Sequence, residues 1–290
     1  PWQELIATVI PVSHRGRYWG ISLILGKVMG MAGAVVTGFL LTRVPYPTNY
    51  AAMFGLGFLA TSISLLFTNL TVEPVIDRSA IREEQESKLW QKVGAILKTD
   101  RNFLYFLLNR AAAFLSTMGM GFVAVFGIQK FDLPLSYSAV LTFTMLAAEI
   151  AGYSLWGYYG DKRGYKRILE FSHLSLALGL ALLLLVPSIW AFYLAFALVS
   201  LAHAGEYIAD QNIAMEFGTD ADRPTYIGMS KTLTGPFLLV SPVIGGTLVE
   251  VWGYESMFSL SLAIALIAYA LIRFLVVEPR LTNGTANPGT

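Results

Sequence analysis

The sequence predicts an all-α polytopic membrane protein, a helical bundle with eight spans. Three observations carry this. Hydrophobic residues make up 55% of the 290 residues and charged residues only 13%, against roughly 25% charged in a typical soluble domain. Mean hydropathy is +0.59. Eight stretches reach the about 20 mostly apolar residues that a spanning helix needs. With 20 basic and 19 acidic side chains the chain has too little charge to solvate a surface of its own, so the surplus apolar area faces lipid. The net charge of +1 gives no signal for nucleic acid. The absence of cysteine excludes disulfides, thiolate metal sites and cysteine nucleophiles.

The eight stretches are 18–42, 50–72, 103–128, 134–159, 166–187, 188–216, 225–250 and 254–277. Most connectors are very short, such as Pro187-Ser188. One is long, 73–102, and carries six basic and six acidic residues. Within it Leu89, Trp90, Val93, Ile96 and Leu97 fall on one face, which predicts an amphipathic helix lying along the membrane surface. The end of the chain, 278–290, is polar and glycine-containing and reads as a disordered tail. Lysine and arginine crowd one set of loops, from Arg15 and Arg17 through Lys162, Arg163, Lys166 and Arg167 to Arg223 and Arg280, whereas the opposite set holds Arg43 and Lys130. That bias makes the first set, and the C-terminus, cytoplasmic.

An internal repeat runs through the chain. Arg15-Gly-Arg-Tyr18-Trp-Gly20 matches Arg223-Pro-Thr-Tyr226-Ile-Gly228, Met53-Phe54-Gly-Leu56 matches Met257-Phe258-Ser-Leu260, and Val72-Glu73-Pro74 matches Val277-Glu278-Pro279. The later copy has six spans and the earlier copy two, preceded by residues that match the end of a spanning helix. This reads as a duplicated helical unit with the N-terminal half incomplete, hence as a fragment. The domains expected are 1–72, the remainder of an N-terminal bundle; 73–102, a linker; 103–277, a six-helix bundle; and 278–290, the tail.

Ionisable groups at membrane depth are costly and usually functional. Away from helix ends these are Lys27, Arg110, Glu149, Glu206, Asp210 and Lys231, with His203 as a further titratable group. At a rise of 1.5 Å per residue, Asp210, Lys231 and Arg110 lie roughly 9–11 Å from the cytoplasmic end and Glu149 and Glu206 roughly 15 Å, near the midplane. Matched depths predict the ion pairs Asp210–Lys231 and Arg110 with Glu149 or Glu206. His203, Glu206 and Asp210 share a helix face at i, i+3, i+7 spacing. They read either as a polar stripe that binds substrate or carries a proton, or as an interhelical salt-bridge set. Lys27 and Lys231 sit shallow enough to snorkel. Asn109, Tyr153 and Tyr207 add neutral hydrogen-bonding groups. Gly235-Pro236 predicts a kink in its helix. No enzyme motif, cofactor motif or metal site is present in the pattern.

Between the fourth and fifth stretches lies Gly157-Tyr-Tyr-Gly160-Asp161-Lys162-Arg163-Gly164-Tyr165-Lys166-Arg167. With the two-half layout and the long linker, this segment resembles the signature of the major facilitator superfamily of secondary transporters. Gly157, Asp161, Lys162, Gly164, Lys166 and Arg167 fit its usual pattern. Tyr159 and Tyr165 depart from it, where Leu and a basic residue are commoner. The resemblance covers nearly the whole chain as helices five to twelve. It implies that the lipid-facing helices are 50–72, 166–187 and 254–277, and that Asp161 sits near the start of the 225–250 helix within reach of Arg223. The signature then serves as a gate, or only as a determinant of topology. The resemblance implies alternating-access transport of a small-molecule substrate across the cell membrane, coupled to protons, by a monomer. The reading kept beside it is a non-transporting membrane protein, a sensor, scramblase or assembly factor on the same scaffold.

Overall fold

A computed structural model describes residues 2–70, 89–133, 137–219 and 222–282. Every regular element among them is helical. The helices are α1 (Trp2–Val9), α2 (Arg15–Arg43), α3 (Thr48–Asn69), α4 (Leu89–Thr99), α5 (Arg101–Ser116), α6 (Val123–Lys130), α7 (Tyr137–Arg163), α8 (Lys166–Leu185), α9 (Ile189–Asn212), α10 (Arg223–Ala270) and α11 (Pro279–Thr282).

Helices occupy the described parts of all eight predicted segments. Among the described residues five are long and apolar enough to cross a membrane: Thr48–Asn69, Arg101–Lys130, Lys166–Leu185, Ile189–Glu216 and Arg223–Leu275. The last holds two predicted segments in one run. It breaks at Gly253, whose φ of 81° and ψ of 173° only glycine adopts without strain. That break separates the predicted segments 225–250 and 254–277, and Pro236 and Pro242 lie within the helical run before it. The segment 103–128 is likewise not one uniform helix. A 3₁₀ stretch, Thr117–Phe122, joins α5 to α6, where Gly119 and Gly121 weaken helix propagation.

The chain forms two compact units, Ser22–Ile76 and the remainder. In the smaller unit α3 is apolar on every side, with Phe54, Phe58 and Phe67 exposed. In the larger unit α8 shows how burial is organised. Leu169, Ser172, His173, Leu176, Leu180 and Leu183 are buried at helical spacing, while Phe171, Leu174, Leu178 and Leu185 point outward. The buried face joins a core of Met118, Phe126, Leu141, Phe192, Phe196 and Phe258. The Phe126 and Phe258 rings meet edge-on at 5.1 Å. Gly127 lies so close to Phe192 that a Cβ there would fall inside the ring. Gly127→Ala is therefore expected to cost about 1–3 kcal/mol by overpacking, read as a lower Tm in detergent.

The amphipathic helix predicted in the linker is α4. It docks on the bundle through buried Ile96 and an ion pair, Lys92 Nζ to Asp222 Oδ1 at 2.7 Å. Its N-cap neighbour Asp100 caps α5 by accepting from the Phe103 N–H at 2.9 Å, and accepts from the Tyr226 hydroxyl at 2.9 Å. Residues 73–88 of the linker and 283–290 of the tail lie outside the described residues, whereas the start of the segment expected to be disordered is ordered, with Pro279–Thr282 helical and Arg280 paired with Glu216.

Candidate functional site: a buried polar cluster and a cytoplasmic signature

The polar side chains of α9 radiate to four other helices. His203 Nδ1 lies 3.2 Å from Glu149 Oε1 on α7. Glu206 Oε1 lies 3.0 Å from His173 Nδ1 on α8. Asp210 pairs through Oδ1 with Arg110 Nη2 on α5 and through Oδ2 with Lys231 Nζ on α10, the latter at 2.6 Å. Side chains three and seven residues apart share a face but differ in angle and height, so each meets a different neighbour. They do not converge on a metal, and no group of three or more His, Asp or Glu among the described residues could hold one.

Asp210–Lys231 forms as its depth predicts. Arg110 does not pair with Glu149 or Glu206; it pairs with Asp210, which thus bridges two cations. Arg110 and Asp210 share a depth of roughly 9–11 Å, so equal depth favoured the pair that forms, and the expected reach to the deeper Glu149 or Glu206 was the error. Arg110 is 2% exposed and its guanidinium covers the Phe114 ring at 4.4 Å from the centroid. Lys231, by contrast, has 41% of its side chain exposed. Lys27 stands on α2 in the smaller unit.

His173 is the member that sequence reasoning missed. Its helix, 166–187, is expected to face lipid, yet one face turns inward and His173 has no exposed surface. A lone titratable residue inside an apolar run was the available signal. Asn109 Nδ2 sits 3.0 Å from His173 Nε2 and donates to the Ala268 carbonyl at 2.8 Å. The cluster thus ties α5, α8, α9 and the far end of α10 together.

The signature turn forms a second polar centre. Asp161 does not meet the start of the 225–250 helix. Its Oδ1 accepts from the Gly16 N–H at 2.7 Å, and its Oδ2 accepts from the Arg17 N–H at 3.0 Å and Arg17 Nε at 3.2 Å. These are unpaired donors of the first turn of α2, so the carboxylate caps that helix and meets its positive end. Arg223 instead donates from Nε to the Met215 carbonyl at 3.1 Å. The correction has a steric cause. Gly16 and Gly157 bring the two backbones so close that a Cβ on either would overlap the other's carbonyl, and only that approach lets Asp161 reach α2. Asp161→Ala is expected to weaken the cap by about 0.5–2 kcal/mol, seen as faster hydrogen exchange at the Gly16 and Arg17 amides.

The other signature residues divide between turn geometry and surface charge. Gly164 holds φ at 83° and leaves room for Glu278, whose Oε2 accepts from the Lys166 N–H at 3.1 Å. Burial pushes the Glu278 carboxyl above its usual range. Lys162 rests on the Tyr158 ring at 4.4 Å, and Arg167 is exposed. Tyr165 is fully buried and donates to Asp161 Oδ1 at 3.2 Å. Arg280 stacks on the Tyr165 ring at 4.9 Å, pairs with Glu216 at 2.7 Å and donates to the Asp161 carbonyl at 3.0 Å. A tyrosine at this position therefore brings in a cation from α11.

Comparison with known proteins agrees with this architecture. The sequence model described as Major Facilitator Superfamily matches residues 112–290. The multidrug resistance protein MdtG of Dickeya zeae (strain Ech586) is 28% identical over 162 residues, 55% of this chain and 39% of that protein. MdtG of Klebsiella pneumoniae (strain 342) is 28% identical over 140 residues, 48% of this chain and 33% of that protein. The matched region is well under half of either relative. The crystal structure of the human organic anion transporter MFSD10 (TETRAN) superposes with a TM-score of 0.68 over 93% of this chain and 66% of that one. At 16% identity that likeness is one of fold. The helical architecture, the signature turn and the match to residues 112–290 lead to one conclusion: this chain belongs to the Major Facilitator Superfamily.

Proposed function

We propose that this protein acts in proton-coupled transport of a small solute across the cell membrane, by alternating access around the polar cluster. One observation carries the reading: five helices direct titratable or charged side chains into interhelical ion contacts with largely buried carboxylates, Arg110–Asp210–Lys231, His173–Glu206 and Glu149–His203. A scaffold needing only stability gains little from buried charge pairs, because desolvation offsets their attraction. Their position at membrane depth favours a role in solute or proton movement. Glu206, His203, Glu149 and Asp210 are the coupling groups on this reading, and Lys231 is the exposed cation that a solute meets first. The eight helical segments cross the membrane, the C-terminus is cytoplasmic by the lysine and arginine bias, and the protein works as a monomer. The contact of Asp161 with the start of α2 closes the cytoplasmic side and parts when that side opens. Because relatives are named multidrug resistance proteins, amphipathic drug-like solutes belong among the candidates.

The test is flux of a solute panel in proteoliposomes with and without an imposed proton gradient. Gradient-driven movement of one solute class supports the reading. Movement of none, with the protein shown folded, moves the weight to the sensor, scramblase or assembly role and makes the cluster structural.

A further inference from the structure

The two hydrogens of one amide group decide where the buried proton sits. Asn109 and His173 have no exposed surface. Asn109 Nδ2 approaches two acceptors: the Ala268 carbonyl at 2.8 Å and His173 Nε2 at 3.0 Å. A backbone carbonyl can only accept, so the amide must present nitrogen there. Its Oδ1 is left buried with no hydrogen-bond partner among the described residues, at a cost of about 1–3 kcal/mol. The opposite orientation would set Oδ1 against the Ala268 oxygen. With nitrogen fixed at that point, the second amide hydrogen faces His173 Nε2, which must carry a lone pair. The ring's proton is then on Nδ1, which faces Glu206 Oε1 at 3.0 Å.

We propose that Asn109 is a positioning residue that holds His173 as its neutral Nδ1–H tautomer, so that the exchangeable proton of the buried pair belongs to Glu206. A second proton on His173 would have to go to Nε2, where it would meet the Asn109 N–H; the ring is therefore a fixed donor. Glu206 is the member free to gain and lose a proton. The groups that face it are His173 from α8, Arg110 from α5 and His203 from its own helix. Of the three, His173 cannot take a second proton without losing the Asn109 contact at Nε2. The inference rests on the proton-coupled reading for its purpose but not for its geometry.

The test uses ¹⁵N-histidine-labelled protein in lipid bilayers. The chain has three histidines, so difference spectra of His14→Gln and His203→Gln isolate His173. Nitrogen chemical shifts are expected to show one protonated ring nitrogen, Nδ1, at neutral pH. Nε2–H, or both nitrogens protonated, would overturn the proposal, and this wild-type measurement needs no variant at the site itself. Asn109→Asp, of the same shape, replaces the donor by an acceptor and is expected to give both nitrogens protonated. It should displace the pH profile of proton-driven flux by about one unit or more. Asn109→Leu, which has neither group, should leave a tautomer mixture. A wild-type-like tautomer and pH profile in Asn109→Asp would also overturn the proposal. An Nδ1–H ring in a protein whose flux ignores the proton gradient would keep the lock and sink the coupled-transport reading, so the two failures are separable.

Discussion

Asp210→Ala is expected to lower stability by about 3–5 kcal/mol, the largest loss from any single change at the cluster. The cause is what it leaves behind. Arg110 is 2% exposed and has Asp210 as its ion-pair partner. Lys231, with 41% of its side chain exposed, can turn its ammonium to water when its partner goes. Lys231→Met should accordingly cost about 1 kcal/mol or less. Replacing the buried pair together, Arg110→Met with Asp210→Leu, should recover most of the loss, because no uncompensated charge remains. Thermal unfolding of the four proteins in one detergent orders them. An Asp210→Ala protein as stable as the wild type would mean that Arg110 is solvated and that the pair is not a buried one.

Glu206→Gln is expected to reduce proton-driven flux on the order of 10²-fold while leaving the fold intact, the magnitude typical of removing a group that carries the reacting proton. The substitution separates charge from structure. A glutamine oxygen can still accept from His173 Nδ1 across the 3.0 Å contact, and the side chain keeps its volume, so stability should change by about 1 kcal/mol or less. Solute exchange at equal concentration on both sides, which needs no net proton movement, should survive. The comparison is Glu149→Gln, whose partner His203 has 39% of its side chain exposed; water can replace that contact, and a smaller loss is expected. If Glu206→Gln retains wild-type dependence on the gradient, Glu206 does not carry the coupled proton.

The helices and the family were legible residue by residue. Apolar runs near spanning length located the long helices, because lipid leaves a backbone no alternative to pairing with itself. Gly157, Asp161 and Gly164 marked the signature turn, since a tight turn beside another helix demands small residues at set spacing. Arg110, Glu149, Glu206, Asp210 and Lys231 announced themselves by standing where charge is costly. What stayed hidden was the pairing. His173 was passed over because the family resemblance made its helix a lipid-facing one, whereas one inward face was enough to bury it. Arg110 was assigned to the deeper carboxylates Glu149 and Glu206 and not to Asp210 at its own depth, and Asp161 to the wrong helix terminus.

Composition and the length of the apolar runs determined that this protein is a helical membrane bundle with charge stored inside, because each of those properties is a sum over one stretch of chain, and the signature turn carried the resemblance to the major facilitator type. Tertiary structure alone decided which charge meets which: Asp210 between Arg110 and Lys231, Glu206 on His173, Asp161 on Gly16 and Arg17. Those contacts join residues far apart in sequence. Their energies depend on the rotation of each helix about its axis and on backbone approaches of a few ångströms, as at Gly16 and Gly157, and no local pattern encodes either.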